Sequence, residues 1–425
     1  MSDITPPAAA PRPARAARPK PGPLDKRLKQ LTVEGLAHHY CSAAEFKTRL
    51  FPAQQVAPPR PLVKDYRCTP EFAHYHGRLK GEIAPGGLFE LHDCYVGKGG
   101  TVMDAQRRVL YDDDLTSAYW LLFVSKLIQK ADPQAGGKTT VTGRFLRGMD
   151  EPVLRPDLRG ATLVSLAKPG PNVYGHWILD TLPMAWNFFE AVRLGIVRPP
   201  FRFLISDRTP PWARGFLQRL FNVPPELLVS YDDNATVVHA ERLIVPSLLR
   251  VSPLISPRMN EFVEFVYDRF GLRWQPERPD LPTEFFISRE GYADQGRRTL
   301  ANALEIEAVM RDAGVVPIRP ETLSWPDQLL MFSRARLVAG EFGSGTHNTL
   351  FSPASTVNLT LFNMVSNWNQ SSIAALRDQD IVYLRPSVEA QVGTGTSIRY
   401  EYALEDVRDA IEVARRRADE RAATP

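Results

Sequence analysis

Three short segments of the chain carry residues whose types and spacing suit a chemical reaction. The first is NVYGHWILDTLP, residues 172 to 183, in which His176 and Asp180 lie four positions apart. On a helix this spacing places both side chains on one face, so the carboxylate could orient the imidazole, or either group could act as a base. A helix start with a capping histidine and a solvent-facing aspartate is the alternative interpretation, and the residues alone do not decide between them.

The second segment is a glycine-rich loop, GEFGSGTHNTLFSP, residues 340 to 353, at the end of a predicted strand. Gly343 and Gly345 permit positive φ and close approach by a ligand, while Ser344, Thr346 and Asn348 offer hydrogen-bond donors. A helix beginning after them would favour a phosphate or diphosphate at its N-terminus. The spacing is neither that of a Walker loop nor that of the dinucleotide fingerprint, so a plain turn is the alternative.

The third segment is ISREGYADQGRRTLAN, residues 287 to 302, where Arg289 follows a predicted strand and Arg297 and Arg298 precede a predicted helix. Guanidinium groups at strand ends suit a leaving diphosphate, whose charge must be neutralised by fixed cations or by a metal. A solvated basic loop is the alternative. We find no Asp-x-Asp motif at a comparable strand end, so the sequence predicts no metal site and no cofactor.

Alternating strands and helices position these segments. One series of apolar strands and helices runs from Thr162 to Val245, and a second begins at Glu284, which predicts an α/β fold with two Rossmann-like domains. The Pro-rich stretch WQPERPDLPT between the two series reads as a linker. The predicted divisions are a disordered basic tail (1–23), an α/β domain with an irregular β-rich start (24–273), a linker (274–283), a second α/β domain (284–400) and a terminal helix with its tail (401–425).

Two local expectations bear on the site. A helix is expected from Thr299 to Ala313, and a charged amphipathic helix from Glu405 to Arg421 is expected to pack back across the first domain. Ligands of open α/β sheets bind beyond the carboxyl ends of the strands, so we expect a cleft between the domains to hold the site.

Composition narrows the classes of protein. The 425 residues are 44% hydrophobic and 24% charged, as in ordinary globular proteins, and the net charge of +4 is too mild to indicate nucleic-acid binding. Three cysteines have neither metal-type spacing nor a disulfide framework. The tail lacks the apolar core of a signal peptide, and no window offers a membrane-spanning helix. We therefore expect a cytoplasmic protein with at most peripheral membrane contact.

The three segments, in this order, resemble glycosyltransferase family 61. Its members carry a His-Trp-x-x-Asp-x-Leu-Pro segment, then a strand ending in Arg, then Gly-x-x-Gly-Ala-Gly-Leu. The resemblance covers roughly residues 162 to 390. The corresponding residues here are His176, Trp177, Asp180, Leu182 and Pro183, then Ser288, Arg289, Arg298, Asn302 and Glu305, then Gly340, Gly343, Gly345, Asn348, Leu350 and Phe351.

The resemblance implies a GT-B fold and an inverting, metal-independent transfer from a nucleotide sugar to a glycan or lipid-linked glycan acceptor, in bacterial capsule, exopolysaccharide or lipopolysaccharide assembly. Asp180 would be the base, with His176 as second choice or as the orienting group. The second domain would hold the donor diphosphate through Arg289, Arg298, Glu341, Gly343, Ser344, Gly345, Thr346, His347 and Asn348.

The sequence departs from the family pattern in the glycine loop. Phe342 replaces a histidine, Ser344 and Thr346 replace alanine and leucine, and Glu341 and His347 are unusual there. These departures leave open a divergent donor contacted by His347, or a binding subunit without catalysis. The basic strand ends leave open a third interpretation, a pyruvyl or phosphoryl transferase on paired Rossmann-like domains.

Overall fold

The structure is a computed structural model that describes residues 40–61, 76–115, 158–289, 298–361, 369–391 and 398–423, apart from positions 44, 46, 78, 107, 113, 235, 252 and 277. The predicted basic tail and Arg297 lie outside the described residues.

The first sheet has nine strands and joins a mainly antiparallel half to a parallel half. Numbered in chain order, its strands lie in the sequence β1 (Tyr40–Ser42), β7 (Val109–Tyr111), β6 (Val102–Met103), β5 (Gly86–Val96), β11 (Val238–Pro246), β8 (Thr162–Ser165), β9 (Phe201–Ser206) and β10 (Leu228–Tyr231), with β2 (Lys47–Phe51) also paired to β5. Strands β11, β8, β9 and β10 are parallel, and β5 runs antiparallel to β11. The poorly periodic start of the chain therefore extends the first sheet.

The second sheet has five strands, all parallel, in the order β16 (Val316–Ile318), β14 (Glu284–Ile287), β17 (Leu337–Glu341), β18 (Val357–Leu361) and β19 (Asp380–Leu384). Its strands β17, β18 and β19 are buried at every position, as in a parallel sheet covered by helices on both faces. Smaller sheets pair β3 (Gln54–Val56) with β4 (Gly81–Ile83), β12 (Arg250–Val251) with β13 (Leu254–Ile255), and β15 (Arg298–Leu300) with β21 (Ile398–Glu401) and β20 (Val388–Gln391).

The helices that position the site begin after the carboxyl end of β8. A single turn, α1 (Tyr174–His176), continues through a π-helical turn at Trp177–Thr181 into α2 (Leu182–Arg193). The others are α3 (Pro211–Phe221), α4 (Met259–Phe270), α5 (Ala303–Asp312), α6 (Trp325–Ser333), α7 (Asn369–Arg377) and α8 (Leu404–Ala423), with a 3-10 helix at Ser344–Phe351. The alternation predicted for both series, including the parallel strands, is confirmed. None of these helices has the length and apolar content that crossing a membrane requires.

Two local expectations are wrong. Residues predicted to begin a helix at Thr299 form β15 instead, because Arg298, Thr299 and Leu300 pair with β21, and Ala301 N donates to Tyr400 O at 2.8 Å. Helix α5 starts only at Ala303.

The second expectation that is wrong concerns α8. This helix packs on the second sheet and against α5, not across the first domain. Its apolar positions Val407, Ala410, Ile411 and Ala414 join the core that includes Leu359. Those positions recur three and four apart, so they form one stripe that the second sheet buries.

The core does not stop at the boundary between the two series. One apolar cluster contains Trp177 and Phe216 of the first series together with Trp325, Leu350 and Phe351 of the second. The rings of Phe216 and Trp325 lie 4.0 Å apart between centroids. Burial of such large rings holds the two series together.

Candidate active site

The first part of the site lies where the order of strands in the first sheet changes direction. From β8 the chain continues to β9 and β10 on one side, while β11 lies on the other side of β8. Loops leaving β8 and β11 diverge at this point and open a crevice at the carboxyl ends of the strands. His176 and Asp180 follow β8, and Arg250 follows β11.

These three side chains form one hydrogen-bonded chain. His176 Nδ1 lies 3.1 Å from Asp180 Oδ2, as the spacing in the sequence predicts. Arg250 holds the same carboxylate with two bonds, Nε to Oδ1 at 2.8 Å and Nη2 to Oδ2 at 2.7 Å. Because a carboxylate only accepts hydrogen bonds, the proton of the neutral imidazole sits on Nδ1 and the lone pair of Nε2 is available.

The electrostatics separate the roles of the two candidate bases. Asp180 is 6% exposed. Burial alone would raise its pKa, but the charge of Arg250 and the hydrogen bonds from His176 and Arg250 outweigh burial and hold the pKa well below the usual range. The side chain of His176, in contrast, is 43% exposed. Asp180 is therefore a weak base that orients His176, and His176 is the group that can meet a substrate.

Arg250 was missed by sequence reasoning. It lies 70 residues after its partner Asp180, four residues beyond the apolar strand segment RLIVP. An arginine that follows an apolar strand is the same signal that singled out Arg289, and applied consistently it identifies Arg250.

The second part of the site lies at the equivalent point of the second sheet. Here β14 continues to β16 on one side, and β17 lies on the other side of β14. Arg289 follows β14, and the glycine loop follows β17. A methyl group at Gly343 would lie 3.4 Å from Arg289 Nη1, so the guanidinium borders the loop.

The loop itself differs from the expectation in its backbone. Gly343 has φ 172°, which is extended, and Gly345 is absent from the described glycines with positive φ. Close packing, rather than backbone conformation, explains why position 345 is glycine. A methyl group there would lie 3.2 Å from Ile287 Cγ2, and one at Gly340 would lie 3.1 Å from Ile287 Cβ. These two glycines let the loop lie directly on β14.

The first and second parts of the site touch each other. An added Cβ at Gly175 would come within 2.4 Å of His347 Nδ1 and 3.0 Å of Ser344 Oγ. The hydroxyl of Tyr174 donates to Asn348 Oδ1 at 2.7 Å. The residue immediately before His176 therefore lies against the middle of the glycine loop, which the sequence could not show.

His347 is the most unusual group at this junction. It is 5% exposed, and neither ring nitrogen has a hydrogen-bond partner among the described residues. Burial lowers its pKa to about 3, helped by the neighbouring charges of Arg250 and His176. A neutral imidazole is thus held beside the chain from His176 to Arg250, with a donor and an acceptor left for a ligand or water.

The remaining predicted donor contacts have partners within the protein. Glu341 is 7% exposed and accepts a hydrogen bond from the hydroxyl of Tyr400. Thr346 Oγ1 donates to Gly343 O at 2.8 Å, and Asn348 Nδ2 donates to Gln328 Oε1 at 3.3 Å. Arg298 lies on β15, and its side chain is outside the described part of the structure. These bonds hold the loop in shape, so Ser344 and His347 are the loop side chains best placed for a ligand.

A pocket opens beside His176 at the carboxyl ends of β8 and β9. Its lining comprises Leu166, Ala167, Lys168, Pro169, Gly170, Pro171, His176, Trp177, Thr181, Ser206 and Thr209. Gly170 has φ +70°, and a methyl group on it would lie 3.5 Å from His176 Nε2. The positive φ favours glycine there, and this glycine lies beside the imidazole of His176.

Three carboxylates at the ends of β9 and β10 lie close enough to share a cation: Asp207, Asp232 and Asp233. Sequence reasoning passed over them. Asp233 is already bound by Arg208, Nε to Oδ1 at 2.9 Å and Nη2 to Oδ2 at 2.7 Å. That arginine neutralises the most buried of the three, so the arrangement is a poor fit for a resident metal.

Comparison with known proteins relates the candidate site to one family of enzymes. No curated protein matches the chain. Residues 174–359 match the model of the family described as Glycosyltransferase 61. The matched segment begins two residues before His176 and includes Arg250, Arg289 and the glycine loop. The matched segment is less than half of the chain, and the match supports a relation to glycosyltransferase family 61 and a glycosyltransferase activity.

Proposed function

We propose that this protein transfers a hexose or pentose from a nucleotide-sugar donor to a glycan or lipid-linked glycan acceptor, with inversion at the anomeric carbon and without a metal. The observation that carries the proposal is the contact between Gly175 and His347. This contact places His176, at the end of the first sheet, beside the glycine loop at the end of the second sheet. Arg289 borders that loop. That is the arrangement a transfer between two substrates needs.

His176 is the base in this proposal. Its Nε2 accepts the proton of the acceptor hydroxyl, while Nδ1 keeps its bond to Asp180. The acceptor oxygen forms a bond to the anomeric carbon as the bond from that carbon to the diphosphate oxygen breaks. The nucleoside diphosphate leaves with the electron pair. Asp180 stabilises the imidazolium that forms, and Arg250 keeps Asp180 ionised.

The donor diphosphate lies at the second sheet. Arg289 provides a fixed positive charge at the carboxyl end of β14, and the 3-10 helix that starts at Ser344 has backbone N–H groups without helical partners in its first turn. Fixed cations and N–H donors stabilise a leaving diphosphate electrostatically. His347, with both nitrogens unpartnered, contacts the donor between these groups and His176.

The wider setting of the proposal rests on the resemblance. The two sheets would correspond to the acceptor and donor domains of a GT-B enzyme, divided near residues 274–283. The reaction would serve bacterial surface or extracellular polysaccharide assembly, on the cytoplasmic side of the membrane.

The test begins with nucleotide binding. A thermal-shift screen of the full chain against UDP, GDP, CDP, CMP and phosphoenolpyruvate, with and without EDTA, should give one nucleotide that raises the melting temperature in both conditions. The corresponding nucleotide sugars are then assayed for transfer and for slow hydrolysis. A shift abolished by EDTA would contradict metal independence, and a shift with phosphoenolpyruvate alone would favour the pyruvyl transferase.

Two variants test where the donor binds. Arg289→Gln should lose most of the nucleotide shift, because the diphosphate loses a fixed cation. Arg214→Gln is the matched control, since Arg214 lies on α3 and its hydrogen bonds to described residues go to Thr209 O, Ser230 Oγ and Asp207 O. An equal loss in both variants would contradict the placement of the donor.

A further inference from the structure

Two threonines of the glycine loop lie on one face of its 3-10 helix, Ser344–Phe351. Residues three apart in such a helix lie directly above one another. Thr346 Oγ1 donates to Gly343 O at 2.8 Å, and Thr349 Oγ1 donates to Thr346 O at 2.9 Å. Gly343, Thr346 and Thr349 thus form a hydrogen-bonded series, here called the threonine ladder, which ends beside Arg289.

Buried side chains from α7 and the turn after it hold the other end of the ladder. Gln370 Nε2 donates to Thr349 Oγ1 at 2.7 Å. Gln379 Nε2 donates to Thr349 O at 2.9 Å and to Ser352 O at 3.0 Å, which provides partners for carbonyls at the end of the 3-10 helix. Thr349, Gln370 and Gln379 are fully buried. The helix is therefore fixed at its carboxyl end through both side chain and backbone.

The same turn of α7 reaches the first part of the site. Asn369, the residue before Gln370, accepts a hydrogen bond from Arg250 Nη1 at 3.4 Å. Arg250 also holds Asp180, and Asp180 is bonded to His176. Two adjacent residues of α7 therefore contact the two parts of the candidate site, one at Arg250 and the other at the threonine ladder.

The ladder acts on the first turn of the 3-10 helix. The carbonyl of Gly343 accepts from Thr346 N at 3.2 Å as well as from Thr346 Oγ1. The backbone N–H groups that lack helical partners lie in this turn, at the opposite end of the helix from Gln370. Donors held in place in advance stabilise a developing negative charge without having to reorganise.

The ladder accounts for one departure from the family pattern. Thr346 stands where that pattern has leucine. A leucine has no hydroxyl, so the bond from Thr346 Oγ1 to Gly343 O exists because of the departure.

We propose that Thr346, Thr349 and Gln370 are positioning residues for the donor. They hold the first turn of the glycine loop in the shape that binds the diphosphate, and α7 fixes that turn relative to Arg250 through Asn369. These three side chains act through the backbone of the loop and touch no substrate. The inference rests on the proposed function, because it takes the ligand of the loop to be the donor.

Hydrogen exchange tests the ladder without any ligand. Thr349→Val removes the hydroxyl and keeps the shape of the side chain. Backbone amides within residues 343–350 should exchange about ten-fold faster, because two hydrogen bonds of the series are lost. Thr356→Val is the matched control, since Thr356 is also fully buried and its hydroxyl donates to Ala335 O at 2.6 Å, before the amino end of β18. Equal loop exchange in the two variants would overturn the inference.

Donor affinity tests the consequence for the site. The nucleotide that the thermal-shift screen identifies should bind about ten-fold more weakly to Thr349→Val, because the loop must be ordered on binding. Gln370→Met, which leaves both threonines in place, should weaken binding in the same direction and serves as the second variant if Thr349→Val does not fold. The KM for the donor should rise in both variants while the KM for the acceptor stays unchanged.

Thr356→Val should keep both KM values of the wild type, since a loss of folded protein alone changes neither constant. Wild-type nucleotide affinity in Thr349→Val and Gln370→Met would overturn the positioning role. The two proposals fail separately. Faster loop exchange in Thr349→Val, in a chain whose wild type binds no nucleotide, would reject the transferase and leave the support of the loop in place, whereas nucleotide binding with unchanged loop exchange would reject the positioning residues alone.

Discussion

Gly175 and His347 are in such close contact that a methyl group on the glycine would lie 2.4 Å from Nδ1 and 2.8 Å from Cε1 of the imidazole. The two residues are 172 positions apart and belong to loops at the ends of different sheets. Glycine is needed here for space rather than for backbone conformation, since Gly175 is not among the described residues with positive φ. Because Gly175 directly precedes His176, this contact determines how His176 lies relative to the glycine loop of the second sheet.

Gly175→Ala should damage both stability and activity. The added methyl group must push His347 or Ser344 away, and overpacking of this kind costs about 1–3 kcal/mol. Because the displaced groups lie beside the proposed donor, transfer should fall further than the loss of folded protein explains. Chemical denaturation measures the free energy of unfolding, and turnover is compared at equal folded fraction.

Gly215→Ala is the matched control. Gly215 lies within α3, and a methyl group there would meet nothing within 4 Å. Alanine is the better helix former, so this variant should be more stable by about 0.5–1 kcal/mol and fully active. If Gly175→Ala behaved like Gly215→Ala, the two loops would not pack as described.

Much of the fold could be predicted from the sequence because the signals are local. ATLVSLA, FRFLIS and EFFIS are apolar runs between turn formers, and each forms a buried strand of a parallel sheet. Ser324 and Asp327 form the capping interaction that their spacing indicates, with Ser324 Oγ accepting from Asp327 N at 3.3 Å. Helix α6 accordingly begins at Trp325.

The features that the sequence does not predict depend on contacts between distant parts of the chain. Thr299 and Leu300 are predicted to begin a helix, but a strand about 100 positions later pairs with them, and no local rule shows that partner. Arg250 and His347 join Asp180 and His176 in the same way, across distant parts of the chain. His176 and Asp180 were found because four residues on a helical segment bring two side chains together by geometry alone.

Asp180→Asn should destabilise the protein strongly. The substitution keeps the shape but leaves the buried guanidinium of Arg250 without its counter-charge, which costs about 3–5 kcal/mol. The pKa of Asp180 is lowered in the folded state, so its stabilisation is present above the unfolded value of about 4 and is lost as the pH falls below it. The gap in free energy of unfolding between wild type and variant should therefore narrow in acid.

Asp280→Asn provides the comparison. Asp280 is bound by Arg278 Nε at 2.8 Å, as Asp180 is by Arg250, but this pair is exposed to solvent. Exposed pairs contribute little, so this variant should unfold nearly as the wild type does at every pH. Similar losses in the two variants would mean that Asp180 is not buried with Arg250 in solution.

His176→Gln should abolish most of the transfer while leaving nucleotide binding intact. Loss of a general base lowers turnover by ~10² or more, whereas the donor groups at the second sheet are untouched. Steady-state assays give turnover, and the thermal shift with nucleotide gives binding.

His239→Gln is the control for removing a histidine that is paired with a carboxylate. His239 Nε2 lies 2.6 Å from Asp93 Oδ1 at the amino end of β11, the opposite end from the site. This variant should retain full turnover. Unchanged turnover in His176→Gln would reject His176 as the base and return that role to Asp180.

His347 should make the protein sensitive to pH in a window of its own. The group is neutral and buried, with a pKa of about 3 in the folded state and about 6.5 in the unfolded chain. Between these pH values the unfolded chain therefore binds more protons at this histidine than the folded protein does. The stability that neutral His347 contributes is fully present above about pH 6.5 and falls as the pH drops toward 3. His347→Gln, which does not titrate, should lack this part of the slope. The difference in free energy of unfolding between the two proteins, followed by urea denaturation across the window, should change by up to about 1.4 kcal/mol per pH unit. A difference in free energy of unfolding that does not change with pH would mean that His347 is solvated or already charged. It would also contradict the argument that both ring nitrogens are available to a ligand.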